Sequence, residues 1–135
     1  MSEASSVLVV DDSAGICQTM SMILRRKGFD VSCAVDGPGA VEKVKERPFD
    51  AVLLDIRLPG MDGVEVQKNI RSLRPDARVA MMTAYAVEDK VRDAIKDGAE
   101  TVFYKPLDMD TVIAFLNKAR DPAAPPDRAT HRPAR

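Results

Sequence analysis

Two short stretches decide the fold: Ser6-Val7-Leu8-Val9-Val10, followed by Asp11-Asp12, and Asp50-Ala51-Val52-Leu53-Leu54, followed by Asp55. Neither run alternates polar with apolar residues, so neither reads as a strand with one wet face. Continuous valine and leucine over so short a run fits a strand buried on both sides, as in a parallel sheet covered by helices. Three further β-rich runs follow: Asp30 to Val35, Arg78 to Met82 and Thr101 to Tyr104.

Helical periodicity fills the gaps. Ile16, Met20, Ile23 and Leu24 share one face of a helix running from near Ser13 to Gly28. Val41 and Val44 mark a second helix after a Gly37-Pro38-Gly39 turn. Val66, Ile70 and Leu73 mark a third, closed by Pro75. Val87, Val91, Ala94 and Ile95 mark a fourth, closed by Gly98, and Met109, Val112, Ile113 and Leu116 a fifth. Strand and helix alternating in this way predict an α/β fold with a five-stranded parallel sheet and helices on both faces. Ligands of such sheets bind beyond the carboxyl ends of the strands.

The length of 135 residues suits one domain with a real core, and 45% hydrophobic with 30% charged residues is an ordinary globular balance. Twenty basic and 21 acidic residues leave a formal charge of −1. No strong field of either sign is present, so nucleic acid and acidic membranes are not expected partners of this domain. No apolar run approaches the length of a membrane span. Met1-Ser2-Glu3-Ala4-Ser5 lacks the basic region and apolar core of a secretion signal, so a cytoplasmic protein is expected. Cys17 and Cys33, sixteen apart, match no metal or redox motif and read as buried reduced thiols. Residues 121–135 hold four prolines, four alanines, three arginines and no large apolar residue. They predict a disordered tail or linker after a domain spanning 5–120.

The strand ends carry the chemistry. Asp11-Asp12 follows the first strand, Asp55 the third, Thr83-Ala84 the fourth and Lys105-Pro106 the fifth. Three carboxylates forced into one crevice repel one another unless a cation joins them. A hard divalent ion such as Mg²⁺ suits a few carboxylates and several waters. A metal, a lysine, a hydroxyl and free backbone N–H groups together make a site for a phosphoryl group. A carboxylate can itself attack phosphorus and form an aspartyl phosphate.

On these motifs the chain resembles the receiver domains of two-component response regulators, the family of the chemotaxis protein CheY. The resemblance rests on Val9-Val10-Asp11-Asp12, on Leu53-Leu54-Asp55 with Leu58-Pro59-Gly60-Met61-Asp62-Gly63, on Met82-Thr83-Ala84, and on Gly98-Ala99 with Lys105-Pro106. It covers residues 5 to 119 and implies a flavodoxin-like sheet of strand order 2-1-3-4-5. It implies that Asp55 is phosphorylated by a sensor histidine kinase or a phosphotransfer protein. It implies Mg²⁺, or Mn²⁺, on Asp12, on Asp11 mainly through water, on Asp55 and on the backbone carbonyl of Arg57. Lys105 would pair with the phosphoryl oxygens, Thr83 would move its hydroxyl to them, and small Ala84 would keep the approach open. Pro106 matches a proline that follows a cis bond, which is costly without proline. Such a domain is a regulatory phosphoacceptor rather than an enzyme, and its output is a change of the face formed by helix 4, strand 5 and helix 5.

Departures from the family pattern matter as well. Receivers usually carry an aromatic residue three positions before the lysine, and here that position is Val102. Valine has few rotamers and no ring to swing inward. Period-two geometry places Tyr104 on the sheet face of Val102 and Phe103 on the other, which makes Tyr104 a substitute reporter. Thr101 and Phe115 stand where the OmpR class has a charged dimer pair. A monomer or weak dimer is therefore expected, with Phe115 beside Val102 on an apolar, NtrC-like output face. Arg57 and Tyr85 lie two residues after the phosphoacceptor and the threonine, at positions that in receivers flank the path of hydrolytic water. Their bulk predicts a long-lived phosphoryl group.

The same residues admit other readings. Asp11-Asp12 and Thr83 are also good helix N-caps, and Asp55 a good turn residue. Met81 and Met82 read as strand packing, Arg25-Arg26-Lys27 as the solvated end of a helix, and His131 as part of the tail. A haloacid-dehalogenase-type phosphatase needs two aspartates separated by one residue, whereas this chain has Asp11-Asp12 adjacent and Arg57 after Asp55. A flavodoxin-like carrier needs a Ser/Thr/Gly-rich first loop, and Asp11-Asp12 would repel a flavin phosphate.

Overall fold

A computed structural model describes residues 5–58, 60–84 and 88–120; the expected tail at 121–135, with His131, lies outside the described residues, as do Pro59, Tyr85 and Val87. Five strands form the main sheet: β1 (Ser6–Val10), β2 (Asp30–Ala34), β3 (Ala51–Asp55), β4 (Arg78–Thr83) and β5 (Thr101–Tyr104). All pairings are parallel and the order is β2-β1-β3-β4-β5. That is the expected doubly wound, flavodoxin-like α/β arrangement. A two-residue antiparallel ladder joins Arg57–Leu58 to Met61–Asp62 within the loop after β3.

The continuous apolar runs are explained by burial on both faces. Leu8, Val10, Val52, Leu54, Val79 and Met81 point into one core layer, and Val7, Val9, Leu53, Ala80 and Met82 into the other. Each of these valine, leucine and methionine side chains contributes about 1.5–3 kcal/mol by leaving water. The first layer is closed by α2 (Gly37–Glu46), α3 (Gly63–Leu73) and α4 (Glu88–Lys96), the second by α1 (Ala14–Arg26) and α5 (Met109–Arg120).

Several local expectations need correcting. Gly37-Pro38-Gly39 is the first turn of α2 rather than a loop: Asp36 caps the helix by accepting the Gly39 N–H at 2.8 Å. Proline is well placed there because the first turn has no N–H partner to lose. Gly37 also meets Met61 and Val66 so closely that a Cβ would lie 2.7 Å from Met61 Sδ. Val35, just past the end of β2, Leu73, the last residue of α3, and Ile95, near the end of α4, are exposed. Phe115 packs against Phe103, ring centroids 5.8 Å apart and nearly perpendicular, with the Arg78 guanidinium 4.5 Å over its ring. It therefore belongs to the α1/α5 layer, while Val102 packs with the other, so the two are not neighbours on an output face.

Gly28, Gly60 and Gly98 adopt positive φ. Of these, Gly60 makes the tight turn that returns the loop after β3 to the start of α3. Cys17 is buried, and Cys33 on β2 is partly so. Burial first, then a hydrogen bond to the Cys33 side chain, pushes the Cys17 thiol up to about 12, so it packs as a neutral group.

Candidate functional site

Strand order reverses between β2-β1 and β1-β3, and this opens a crevice beyond the carboxyl ends of β1 and β3. Asp11 and Asp12 leave β1 into that crevice and Asp55 ends β3 there. One carboxylate oxygen from each lies within 4.8 Å of the others. Asp11 is fully buried, Asp55 is 6% exposed and Asp12 is exposed.

Two buried carboxylates this close need donors, and the backbone and β5 supply them. Asp11 Oδ1 accepts the Ser13 N–H at 2.9 Å, and Asp55 Oδ1 accepts the Arg57 N–H at 2.9 Å. Lys105 Nζ, just past β5, donates to Asp11 Oδ2 at 2.6 Å and to Asp55 Oδ2 at 2.9 Å. The Lys105 backbone N–H is itself held by Thr83 O at 2.8 Å, and Lys105–Pro106 is cis. One ammonium thus bridges the two buried acids. Charge-assisted bonds of this kind are the strong ones.

The titration behaviour follows. Burial raises the Asp55 carboxyl above the ordinary value, against the lowering effect of the Arg57 N–H and of Lys105, with Asp11 adding a small repulsion. Burial also opposes the charge on Lys105, but its bonds to Asp11 and Asp55 win and hold it above the usual lysine value. The site is electron-rich and short of positive charge. Its donors are all oxygens, close-set and carboxylate-dominated, which fits a hard divalent ion such as Mg²⁺.

The remaining expected residues divide between this centre and the core layers beside it. Thr83 is fully buried at the end of β4, and Ala84 after it is exposed. Thr83 pairs in register with Tyr104, and Met81 with Val102. Tyr104 is 51% exposed and Phe103 packs in the opposite layer, so the strand parity is as expected. The Arg57 side chain is exposed, and Tyr85 lies outside the described residues. Phe115 is remote from the crevice, in the core behind β5.

Two residues of the Leu58-to-Gly63 motif support the site from outside the crevice. Gly63 lets α3 start against the end of β3: a Cβ there would sit 2.5 Å from both Asp55 O and Ile56 O. Asp62 caps α3 through the Val64 N–H and forms an ion pair with Lys90 of α4. Although burial opposes it, Lys90 and the Val64 N–H hold the Asp62 carboxyl below the ordinary range. The ion pair ties α4 to the loop that follows Asp55.

Residues 7–117 match the family described as the response regulator receiver domain. The transcriptional regulatory protein ZraR of Klebsiella oxytoca is 42% identical over 117 residues, 87% of this chain. Those residues are 26% of ZraR, so the chain spans about a quarter of the length of that relative. The chemotaxis protein CheY of Bacillus subtilis is 39% identical over 116 residues, covering 85% of this chain and 97% of CheY. A solved CheX–CheY–BeF₃–Mg²⁺ complex from Borrelia burgdorferi matches with a TM-score of 0.78 at 37% identity, covering 84% of this chain and 87% of the matched one. With the parallel βα fold and the acidic crevice already established, these matches mean that the chain belongs to the response regulator receiver domain family.

Proposed function

We propose that the chain is a phosphoacceptor signalling module. Asp55 takes a phosphoryl group from a sensor histidine kinase, a phosphotransfer protein or a small acyl phosphate. The observation that carries this reading is the convergence of Asp11, Asp12, Asp55 and Lys105 in one crevice. The similar Borrelia burgdorferi complex, solved with BeF₃ and Mg²⁺, supports the same assignment.

In the proposed transfer a carboxylate oxygen of Asp55 forms the new bond to phosphorus. The bond to the donor's nitrogen or acyl oxygen breaks, and that group leaves with the electron pair. The Arg57 N–H and Lys105 fix the orientation of the carboxylate before attack. Lys105 then moves its charge to the phosphoryl oxygens, and Thr83 offers them its hydroxyl. Asp12, Asp55, the Arg57 carbonyl and, through water, Asp11 would hold Mg²⁺ or Mn²⁺, which supplies positive charge where the phosphoryl oxygens crowd the carboxylates. Attack by water on the same phosphorus returns Asp55 and releases phosphate. The module's own catalysis is limited to these two steps.

For output, Tyr104 is the reporter we favour. It is the register partner of Thr83, and Val102 has no ring to move. The responding surface is that of α4, β5 and α5, with Phe115 as packing behind it. Residues 5–120 act as the receiver domain and 121–135 as tail or linker. The absence of a charged pair at Thr101 and Phe115 supports a monomer or weak dimer rather than an OmpR-type dimer. Among the described residues no helix is long and apolar enough to cross a membrane; together with the charge balance, this supports a cytoplasmic protein that does not itself bind nucleic acid.

The test is intact mass after incubation with acetyl phosphate, with and without Mg²⁺, for the wild type and Asp55→Asn. A single Mg²⁺-dependent phosphoryl adduct, absent in the variant, is expected. No adduct from several donors would mean a receiver fold that does not accept phosphate.

A further inference from the structure

Cys17 and Cys33 are sixteen apart in the sequence but meet in the fold. Cys17 points inward from α1, its Sγ 3.6 Å from the Asp11 carbonyl oxygen. Cys33 lies on β2, at the edge of the sheet, its Sγ 3.5 Å from Cys17 O and 3.1 Å from Ser21 Oγ. We propose that these two cysteines form a thiol–disulfide site, closed by peroxide and reopened by a dithiol reductant.

Three observations carry the proposal. The thiols are already neighbours: they hydrogen-bond each other and Cys33 Sγ lies 3.5 Å from the Cys17 carbonyl oxygen, on consecutive elements packed together, which is the close approach a bridge requires. Their exposure is unequal: Cys17 is 3% exposed, whereas Cys33 is only partly buried. An open groove along α1, between Gln18, Ser21, Met22 and Val35, is lined by both cysteines, and Cys33 is the more open of the two. A small oxidant entering the groove therefore meets the more exposed Cys33 first, with Cys17 3% exposed beside it. That is the arrangement of an attacking and a resolving thiol.

The chemistry balances with hydrogen peroxide as oxidant. The Cys33 sulfur attacks one peroxide oxygen, the O–O bond breaks, and Cys33 becomes a sulfenic acid as water leaves. Cys17 sulfur then attacks the Cys33 sulfur, the S–O bond breaks, and the Cys17 proton departs with the hydroxide as a second water. Two thiols are oxidised to one disulfide and one peroxide is reduced to two waters. Ser21 Oγ, 3.1 Å from Cys33 Sγ, is placed to hydrogen-bond the sulfenic oxygen's parent sulfur and keep it facing Cys17.

The location gives the bridge a consequence. Cys33 pairs in register with Val9, one step before the strand end, and Asp11 N–H donates to Ala34 O at 3.1 Å. Cys17 Sγ touches the Asp11 carbonyl from below. A disulfide turns Cys17 Sγ away from that carbonyl and pins α1 to β2 under the acidic crevice. Any effect on phosphoryl acceptance rests on the function proposed above; the bridge itself does not.

The full chain, freshly reduced, is treated with hydrogen peroxide, denatured, and alkylated with N-ethylmaleimide. The expected wild-type result is loss of both alkylatable thiols in a monomer about 2 Da lighter than the reduced chain, reversed by dithiothreitol. Digestion should then yield one linked peptide pair containing Cys17 and Cys33. In Cys17→Ser, dimedone should trap Cys33 as a sulfenic acid. In Cys33→Ser, Cys17 should stay alkylatable under the same peroxide. The wild-type arm stands alone if either variant fails to fold. Two alkylatable thiols remaining after peroxide, or a linkage found only between two chains, would overturn the proposal.

Discussion

Lys105→Met is the substitution that most directly tests the electrostatics of the crevice. The wild-type ammonium bonds to both Asp11 and Asp55, at 2.6 Å and 2.9 Å. The Asp11 and Asp55 side chains are 1% and 8% exposed, and Lys105 is only 17% exposed, so solvent screens the interaction weakly. Removing one partner of a buried ion pair costs about 3–5 kcal/mol, mostly because charge is left uncompensated. A domain of this size has on the order of 5–15 kcal/mol in total. At a urea dependence of about 2 kcal/mol/M, the metal-free variant's midpoint should fall by roughly 1.5–2.5 M at pH 7. The deficit should depend on pH with a definite sign. Asp55 has a raised folded pKa, so it destabilises the fold as pH climbs from the ordinary carboxylate range, and loss of Lys105 enlarges that effect. The gap between variant and wild type should therefore shrink towards about pH 4 and widen to neutrality. Lys105 has a folded pKa above 10.5, so its contribution is fully present below that value and is lost only as pH rises through the folded one. Mg²⁺ at about 100 times its Kd should return roughly 2.7 kcal/mol to the variant, bringing it closer to the metal-free wild type. Urea unfolding by circular dichroism at pH 4 and 7, with and without Mg²⁺, reads all of this. A loss under about 1 kcal/mol at pH 7, or an equal loss at both pH values, would refute the reasoning.

Gly63→Ala should lower stability by about 1–3 kcal/mol, because the atoms it meets are backbone and cannot swing away; an unchanged urea midpoint would contradict this. Gln67→Met should be neutral or stabilising by about 1 kcal/mol. Gln67 is fully buried with Oε1 unpartnered, and Ala94 O keeps the Ala99 N–H at 3.0 Å when the Gln67 Nε2 bond is removed, so a clear loss in urea would count against the reading. Arg57→Asn and Tyr85→Glu should each shorten the lifetime of phosphorylated Asp55, measured as dephosphorylation rate after removal of the donor. Native rates equal to or faster than those of the variants would remove any shielding role.

What the sequence discloses here depends on how far each feature reaches in space. The acids and Lys105 are readable because each follows a strand directly, and a parallel sheet brings all strand ends to one edge. No side chain has to be traced across the fold. Val102 and Phe103 are separable for a similarly local reason, the two-residue period of β5. Phe115 is different. Right-handed crossovers put α1 on one face and α2, α3 and α4 on the other, because strand order reverses at β1. But α5 follows the last strand, and no return crossover dictates its face. The side of the sheet to which Phe115 belongs is therefore set by packing with Phe103 and Arg78, which no periodicity displays. The Gly37-Pro38-Gly39 segment misleads for the opposite reason: its local signal is strong, but Asp36 converts a turn composition into a capped helix start. Cys17 and Cys33 combine both difficulties. Neither sits in a motif, and their contact exists only because α1 lies over the pairing of Val9 with Cys33. Features one strand end away from a core run can be read in advance; those made by a helix settling onto the sheet have to be seen.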